Sequence, residues 1–280
     1  MIGHRNEVYC STGTVIGRAT GFDHTVIARE LPHICRESGA DGIEHVITPA
    51  FYDNMDEKMD YIVKSGLDCA VIHADKNIGL LLSEGGEDNA REAMRLWRVN
   101  CEVTKSLSCK RSVLHLWGGT ESDSRFPYNA SFMDEILDIA ADHGVEVLIE
   151  NIPCTTLDPL SRWHELEEFD CGFIYDVRFG QLHGQNPDIL ASDYMKSGRI
   201  SHMHISDFGG EYRDFSKIRP ILHPGEGKVS FPAVFRGLKD TDYRGTFTLE
   251  SPVMYENGLD LPKLSRTLTW LCRRVSELRS

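Results

Sequence analysis

The stretch Ile200-Ser201-His202-Met203-His204-Ile205-Ser206-Asp207 alternates between two kinds of side chain. In an extended chain Met203 and Ile205 share one face, while His202, His204 and Ser206 share the other. Upstream lies a helical pattern at Pro187–Met195, opening with Pro near the first turn, where a missing N–H costs nothing. Downstream, after an irregular stretch at Phe208–Lys228, come a helical pattern at Phe231–Leu238 and another strand-like run at Gly245–Ser251. Strand, helix, strand is the unit of a parallel sheet.

The unit repeats along the whole chain. Short apolar, β-branched runs fall at Val8–Val15, Gly42–Thr48, Cys69–Asp75, Ser112–Trp117, Val145–Ile152 and Cys171–Val177, which with the two above makes eight. Helical spacing of apolar residues predicts helices at Thr25–Ser38, Met55–Lys64, Glu87–Leu107, Ser131–His143, Pro159–Leu166 and Leu261–Leu278. Gly39 and Gly144 stand where C-caps are expected. Trp97 sits in the apolar stripe of its helix and reads as core. A doubly wound sheet uses the same unit, but eight repeats in 280 residues fit a closed barrel better. The expectation is an α/β fold, a (β/α)8 TIM barrel, with residues 1–280 forming a single domain. Phe208–Lys228 is the longest irregular stretch, and a loop of that length can cover a site.

Composition narrows the function. The chain carries 43 acidic and 30 basic residues, a formal net charge of −13. Nucleic-acid binders use a basic footprint to neutralise phosphates, so nucleic acid is an unfavoured partner. Apolar runs such as Val145–Ile149 are far shorter than the roughly 18 residues that span a membrane. The first residues lack the apolar core of a signal peptide. None of the eight cysteines forms a C-x-x-C pair, and reduced thiols in a cytoplasmic protein are expected.

In a barrel the reactive groups occupy the C-terminal ends of the strands. Here those ends read His73-Ala74-Asp75, His115-Leu116-Trp117, Glu150-Asn151, Tyr175-Asp176, His204-Ile205-Ser206-Asp207 and Glu250-Ser251. Period-two alternation points Glu250 inward with Thr246 and Thr248, because Phe247 and Leu249 must meet the helices. The same rule turns Glu150 and His204 inward. Glu150, Asp176, His204 and Glu250 would repel one another unless a cation sat among them. Three carboxylates and an imidazole suit one divalent metal ion, Mn²⁺, Mg²⁺, Co²⁺ or Zn²⁺, with positions left for substrate oxygens. His73, His115 and His202 are further ligands or hydrogen-bond partners for substrate. Trp117, beside Gly118-Gly119, is divided between site wall and packing. Glu44, His45, Asp75 and Asp207 read as structural or surface groups.

These pieces, in this order, resemble the xylose isomerase-like TIM barrels: sugar isomerases and epimerases, inosose dehydratases and type-IV apurinic endonucleases. The matching segments include Asp41-Gly42-Ile43-Glu44, Val71-Ile72-His73-Ala74, Leu114-His115-Leu116-Trp117-Gly118-Gly119, Ile149-Glu150-Asn151 and Tyr175-Asp176. The most specific are His204-Ile205-Ser206-Asp207, His223-Pro224-Gly225-Glu226-Gly227-Lys228 and Tyr243-Arg244-Gly245-Thr246-Phe247-Thr248-Leu249-Glu250. The resemblance implies that Glu150, Asp176, His204 and Glu250 hold the metal and that Glu150 and Glu250 form the acid/base pair. It matches Arg219 to a substrate-binding Arg. The endonuclease branch and many epimerases place a His three residues after the sixth-strand Asp, where this chain has Phe179. Aligning on Gly225-Glu226-Gly227 puts Arg219 and Ile221 where the endonucleases carry an Asp-x-His pair. A three-metal nuclease site is therefore incomplete.

The leading expectation is a metal-dependent sugar or cyclitol isomerase or epimerase, moving a proton through a metal-stabilised enediolate. An inosose-type dehydratase uses the same residues. An apurinic endonuclease and a non-catalytic barrel are the readings from other classes. The Gly-rich stretches Gly85-Gly86, Gly118-Gly119 and Gly209-Gly210 are weak phosphate signals, so a non-phosphorylated substrate is preferred. Homo-oligomerisation through exposed helix faces is a further expectation.

Overall fold

All eight predicted runs form strands: β1 (Val8–Ser11), β2 (Gly42–Val46), β3 (Asp68–His73), β4 (Arg111–Leu114), β5 (Glu146–Glu150), β6 (Gly172–Asp176), β7 (Ile200–Ile205) and β8 (Thr246–Leu249). They pair in parallel and in sequence order, and β8 closes onto β1 with Thr248 opposite Tyr9. The computed structural model describes residues 6–118 and 122–279. The strands are shorter than the runs that predict them. Glu150 and Asp176 are the last residues of their strands and His204 is the last but one of its own, while His115 and Glu250 fall just beyond theirs.

Helices surround the barrel. α1 (Thr25–Ser38), α2 (Met55–Ser65), α4 (Glu87–Ser106), α6 (Met133–His143), α7 (Pro159–His164), α11 (Phe231–Asp240) and α12 (Leu261–Ser276) lie where apolar spacing places them. Three helices have no counterpart in the sequence pattern: α3 (Asn77–Glu84), α5 (Phe126–Ala130) and α8 (Val177–Leu182). α8 starts directly at the end of β6, because the Asp176 carboxylate accepts from the N–H groups of Arg178 and Phe179 and caps the first turn. The predicted helix Pro187–Met195 is two, α9 (Asn186–Ala191) and α10 (Asp193–Lys196). Ser192 separates them in an extended conformation and caps α10 through its side chain. A small hairpin of β9 (Met254–Tyr255) and β10 (Gly258–Leu259) precedes α12.

The inward and outward faces of the strands sort as period-two alternation requires. Ile43, Ile72, Ile149, Phe173, Met203, Phe247 and Leu249 join the large core between barrel and helices. Tyr9, Val71, Val113, Leu148 and Ile174 form a separate apolar plug inside the barrel. Trp97 is core, and its indole N–H donates to the Ile136 carbonyl at 2.9 Å. The eight cysteines are free thiols. Among the described residues no helix is long and apolar enough to cross a membrane.

Candidate metal centre and substrate cavity

Above the apolar plug, β5 to β8 bring Glu150, Asp176, His204 and Glu250 together, with one ligand atom from each lying within 4.8 Å of the others. Registers explain the meeting. Asp176 on β6 is level with His204 on β7, and His204 is level with Thr248, two residues before Glu250. His204 Nδ1 lies 3.1 Å from Glu150 Oε1 and 3.4 Å from Glu250 Oε2. Glu150, Asp176 and His204 are buried, while Glu250 stands at the edge of solvent.

A second network lies beneath. Glu44, which the sequence presents as a structural or surface group, is fully buried inside the barrel. Its carboxylate accepts from His204 Nε2 at 3.0 Å and from His202 Nε2 at 2.9 Å. A carboxylate only accepts, so both Nε2 atoms carry protons. His202 Nδ1 then accepts from the Thr246 hydroxyl at 2.6 Å. His202 is thus a support for Glu44, buried below the centre. The sequence signal for Glu44 is its place on β2 with an inward neighbour pattern, but one acid in an apolar run gives no sign of a partner on β7.

On the opposite side His115 Nε2–H donates to Glu150 Oε2 at 2.5 Å. His73 Nδ1 donates to the Ala74 carbonyl at 2.9 Å. That leaves the buried His73 Nε2 without a hydrogen-bond partner, 3.4 Å from Glu150 Oε2. This buried ring nitrogen, unpartnered beside a carboxylate oxygen, marks a position that a ligand group could fill. His73, His115 and Glu150 form a further group with donor atoms within 4.8 Å of one another.

Burial raises the cost of every charge here, and the partners decide who keeps one. Burial pushes Glu150 up, but His115 and His204 outweigh it and hold the carboxyl well below its usual range. Glu44 is held low in the same way by His204 and His202. Burial alone would strip the His204 proton, yet Glu250, Glu44 and Glu150 together raise its pKa well above the ordinary value. Burial drives His115 down to about 3 and His202 to about 4, so both rings are neutral donors. Asp176 rises to about 6, chiefly by burial, which Arg178 partly opposes and Glu150 and Glu250 reinforce. The protonated His204 thus supplies a positive charge where three carboxylates converge. A divalent cation fits this donor set, with Glu44 left to hold the outer nitrogen of His204.

A cavity of about 660 Å³ opens above the centre, bordered by Glu250, Arg178 and Arg219. Arg219 therefore stands where a substrate ligand is expected. Trp117 does not: it is fully buried, its indole N–H donates to the Pro153 carbonyl at 3.0 Å, and its ring packs edge-on to Phe126. Gly119, beside it, lies outside the described residues. Arg178 has no part in the sequence reading. It is buried, with Nη1 donating to the Ile218 carbonyl at 3.0 Å and the Phe179 ring 4.0 Å from its guanidinium. Phe179, standing where the resemblance implies a His, carries an arginine to the cavity.

Asp207, Asp75 and His45 are buried rather than surface groups. Asp207 organises the long loop. Oδ1 accepts from Phe208 and Val229 N–H at 2.8 and 2.9 Å, and Oδ2 accepts from Gly225 and Gly227 N–H at 2.9 Å each. This explains the Gly225-Glu226-Gly227 motif. Gly225 has φ of +92°, and a Cβ at Gly227 would fall 2.4 Å from Asp207 Oδ1. The loop is tied down along its length, with Asp207 and Leu222 paired as an isolated bridge.

The family model described as xylose isomerase-like TIM barrel matches residues 32–273. L-ribulose 3-epimerase of Methylomonas sp. strain DH-1 is 29% identical over 145 residues, 49% of this chain and 44% of that one. The chain spans less than half the length of the curated relatives it matches. D-allulose 3-epimerase from Methylomonas sp. superposes with a TM-score of 0.67 at 18% identity, over 97% of this chain and 98% of that one. The IolI protein, crystallised with a zinc atom, superposes with a TM-score of 0.66 at 16% identity, over 97% and 98% of the two chains. Identities this low establish the shared fold.

Proposed function

With the chain a member of the xylose isomerase-like TIM-barrel family, we propose that it is a divalent-metal-dependent isomerase or epimerase of a sugar or cyclitol. The observation that carries the reading is the convergence of Glu150, Asp176, His204 and Glu250 at the mouth of the barrel. These four residues would hold the metal, which supplies Lewis-acid stabilisation of negative charge on substrate oxygens. Glu150 and Glu250 are the acid/base pair. They approach the same His204 nitrogen from β5 and from the end of β8. One removes a proton from the carbon beside a carbonyl, and the other returns one. Return to the same carbon gives epimerisation, and return to its neighbour gives isomerisation. His115 holds Glu150 in place, and His73 Nε2, which has no hydrogen-bond partner, is available to a substrate hydroxyl. Arg219 binds a substrate oxygen at the open side. Trp117 supports the wall from behind.

The names of the relatives agree with this reading, two being epimerases and one binding zinc. The dehydratase alternative uses the same residues and differs only in expelling a hydroxyl after proton removal. The endonuclease alternative is weakened by Phe179, whose ring is taken up by Arg178 and offers no ligand. We also take residues 1–280 to be one domain, and the eight free thiols support a cytoplasmic site of action.

The test is metal-loaded enzyme in D₂O with a panel of ketoses, aldoses and keto-cyclitols. Deuterium in recovered or epimerised sugar supports the proposal, and a product lighter by water makes it a dehydratase. Glu150→Gln and Glu250→Gln should each lower exchange by roughly 10²- to 10⁴-fold. Exchange that survives both substitutions would overturn the assignment.

A further inference from the structure

The cavity above the metal centre is cationic in a protein that is not. Four basic side chains, Arg18, Lys76, Arg178 and Arg219, line it, against two acids, Asp75 and Glu250. The chain as a whole carries 43 acids to 30 bases. Among the described residues, the side chains of Arg18, Lys76 and Arg219 form no hydrogen bond and no ion pair within 4 Å. Some surface cations of this chain have carboxylate partners, as Arg95 has Glu92 and Arg29 has Glu30. These three do not.

Arg178 is the more telling residue. It is 5% exposed, and its Nε is buried without a hydrogen-bond partner. Its contact with Asp176 Oδ2 is long, at 3.5 Å. The Phe179 ring beneath and the Ile218 carbonyl beside it fix the guanidinium at the cavity wall. Arg219 lines the same cavity; burial lowers its pKa, the Arg178 charge adds to that, and Glu250 opposes it in part. A planar guanidinium with an idle N–H, held rigid beside a second guanidinium, is an arrangement for gripping an oxyanion. Counting charge supports this. Glu44, Glu150, Asp176 and Glu250 are balanced by one divalent cation with Arg178 and Arg219. Arg18 and Lys76 then exceed Asp75, so the loaded site has room for one more negative charge.

We propose that the substrate carries an oxyanion, a carboxylate or a phosphate, seated against Arg178 and Arg219 with Arg18 and Lys76 at the rim. The proposal rests on the reading of this cavity as the substrate pocket of a sugar-transforming enzyme, and it names the class of sugar. A carboxylate satisfies both the missing Gly-rich phosphate cradle and the guanidinium pair. The phosphate source is separated by experiment.

The experiment is calorimetric titration of the metal-loaded protein with matched probes: glucose, glucuronate and glucose 6-phosphate, then fructose, fructuronate and fructose 6-phosphate. Charged probes should bind roughly ten- to a hundredfold tighter than the neutral sugar of the same series, and less so as salt rises. Preference for the uronates identifies a carboxylate, and preference for the sugar phosphates identifies a phosphate. Arg219→Gln, at an exposed position, and Arg178→Met, which keeps the bulk of the side chain, should each reduce the preference at least several-fold. Equal binding of charged and neutral probes, or no binding of any charged probe, overturns the proposal. So does a preference untouched by both substitutions. Deuterium exchange on the same probes separates the two readings. Selective binding without exchange leaves the oxyanion site standing and removes the isomerase, whereas exchange confined to neutral sugars does the reverse.

Discussion

Asp207→Asn isolates the part of the site that a catalytic assay would overlook. The wild-type carboxylate divides four backbone N–H groups evenly, two on each oxygen, at 2.8 to 2.9 Å. An amide has one accepting oxygen. Whichever way the substituted side chain turned, its NH₂ group would face two donors. The Phe208 and Val229 donors belong to buried residues, while Gly225 is exposed. The amide therefore settles with its nitrogen toward Gly225 and Gly227, where water can serve part of the loss. An orphaned buried donor costs about 1–3 kcal/mol, so the sum here is about 2 kcal/mol. For a chain of 280 residues that lowers Tm by about 3–4 °C. The larger effect is local. A change of about 2 kcal/mol in the opening of the loop is roughly thirtyfold in its open population. Loop 208–228 contains Arg213, Lys217 and Lys228 as trypsin sites, so trypsin reads that population directly. Cleavage in this loop should accelerate by about that factor while the remaining sites keep their rates. Gly227→Ala should do the same, because its Cβ would meet the carboxylate at 2.4 Å. Wild-type cleavage rates and Tm in both variants would refute the assignment of Asp207 as the anchor of this loop.

Three further outcomes are expected. Glu44→Gln removes the charge that holds His204 Nε2–H, and metal affinity measured by chelator competition should fall roughly ten- to a hundredfold, with an unchanged value disproving the support role. Asp123→Asn removes the charge paired with Arg162 at 2.8 Å and sets an NH₂ group against Leu157 N–H at the Oδ2 position, while the amide oxygen can keep the Thr155 and Thr156 N–H bonds, and should cost roughly 3 kcal/mol at neutral pH. Burial pushes Asp123 up, yet Thr156, Leu157 and Arg162 hold it below the usual range. Its contribution is therefore present above the unfolded pKa and lost as pH falls, and the gap between variant and wild type in urea unfolding should narrow below about pH 4. Phe179→Leu takes the ring from beneath Arg178 and should weaken binding of a charged probe by roughly threefold, seen as a higher Kd with little change in Tm.

The fold is legible because a barrel repeats one signal. Eight runs with period-two alternation each have to find helices on one side and one another on the edges, and that pattern survives errors at any single strand. The inward residues follow from the same rule. Thr246 and Thr248 are in fact both bonded to His202 inside the barrel, as alternation requires. Loops and caps escape, since they depend on one atom rather than on a period. The start of α8 is set by the Asp176 carboxylate, and an Asp at a strand end reads equally well as a ligand, a cap or a surface charge. Trp117 and Asp207 stay undecided in the sequence for the same reason. Each sits at a strand end, and only the position of Pro153 or of Gly225 and Gly227 tells a wall from a core residue, or a surface charge from an anchor.

Glu44 shows why the buried charges beneath the centre are more than support. If His204 held a cation, Nδ1 would be the nitrogen facing it, because Glu44 already takes the Nε2 proton. Without Glu44 the imidazole would be free to move its remaining proton between nitrogens or to rotate. The carboxylate accepts from Nε2 at 3.0 and 3.1 Å and admits only one tautomer. Glu44 is itself paired with His202, whose other nitrogen is satisfied by Thr246. The chain of bonds from Thr246 through His202 and Glu44 to His204 thus crosses the barrel from β8 to β7 to β2 and back to β7. Each group in it is buried, and each has its partner. Such a network is costly if any member is lost, which is the physical reason to expect that replacing Glu44 affects metal binding without contact between Glu44 and the metal.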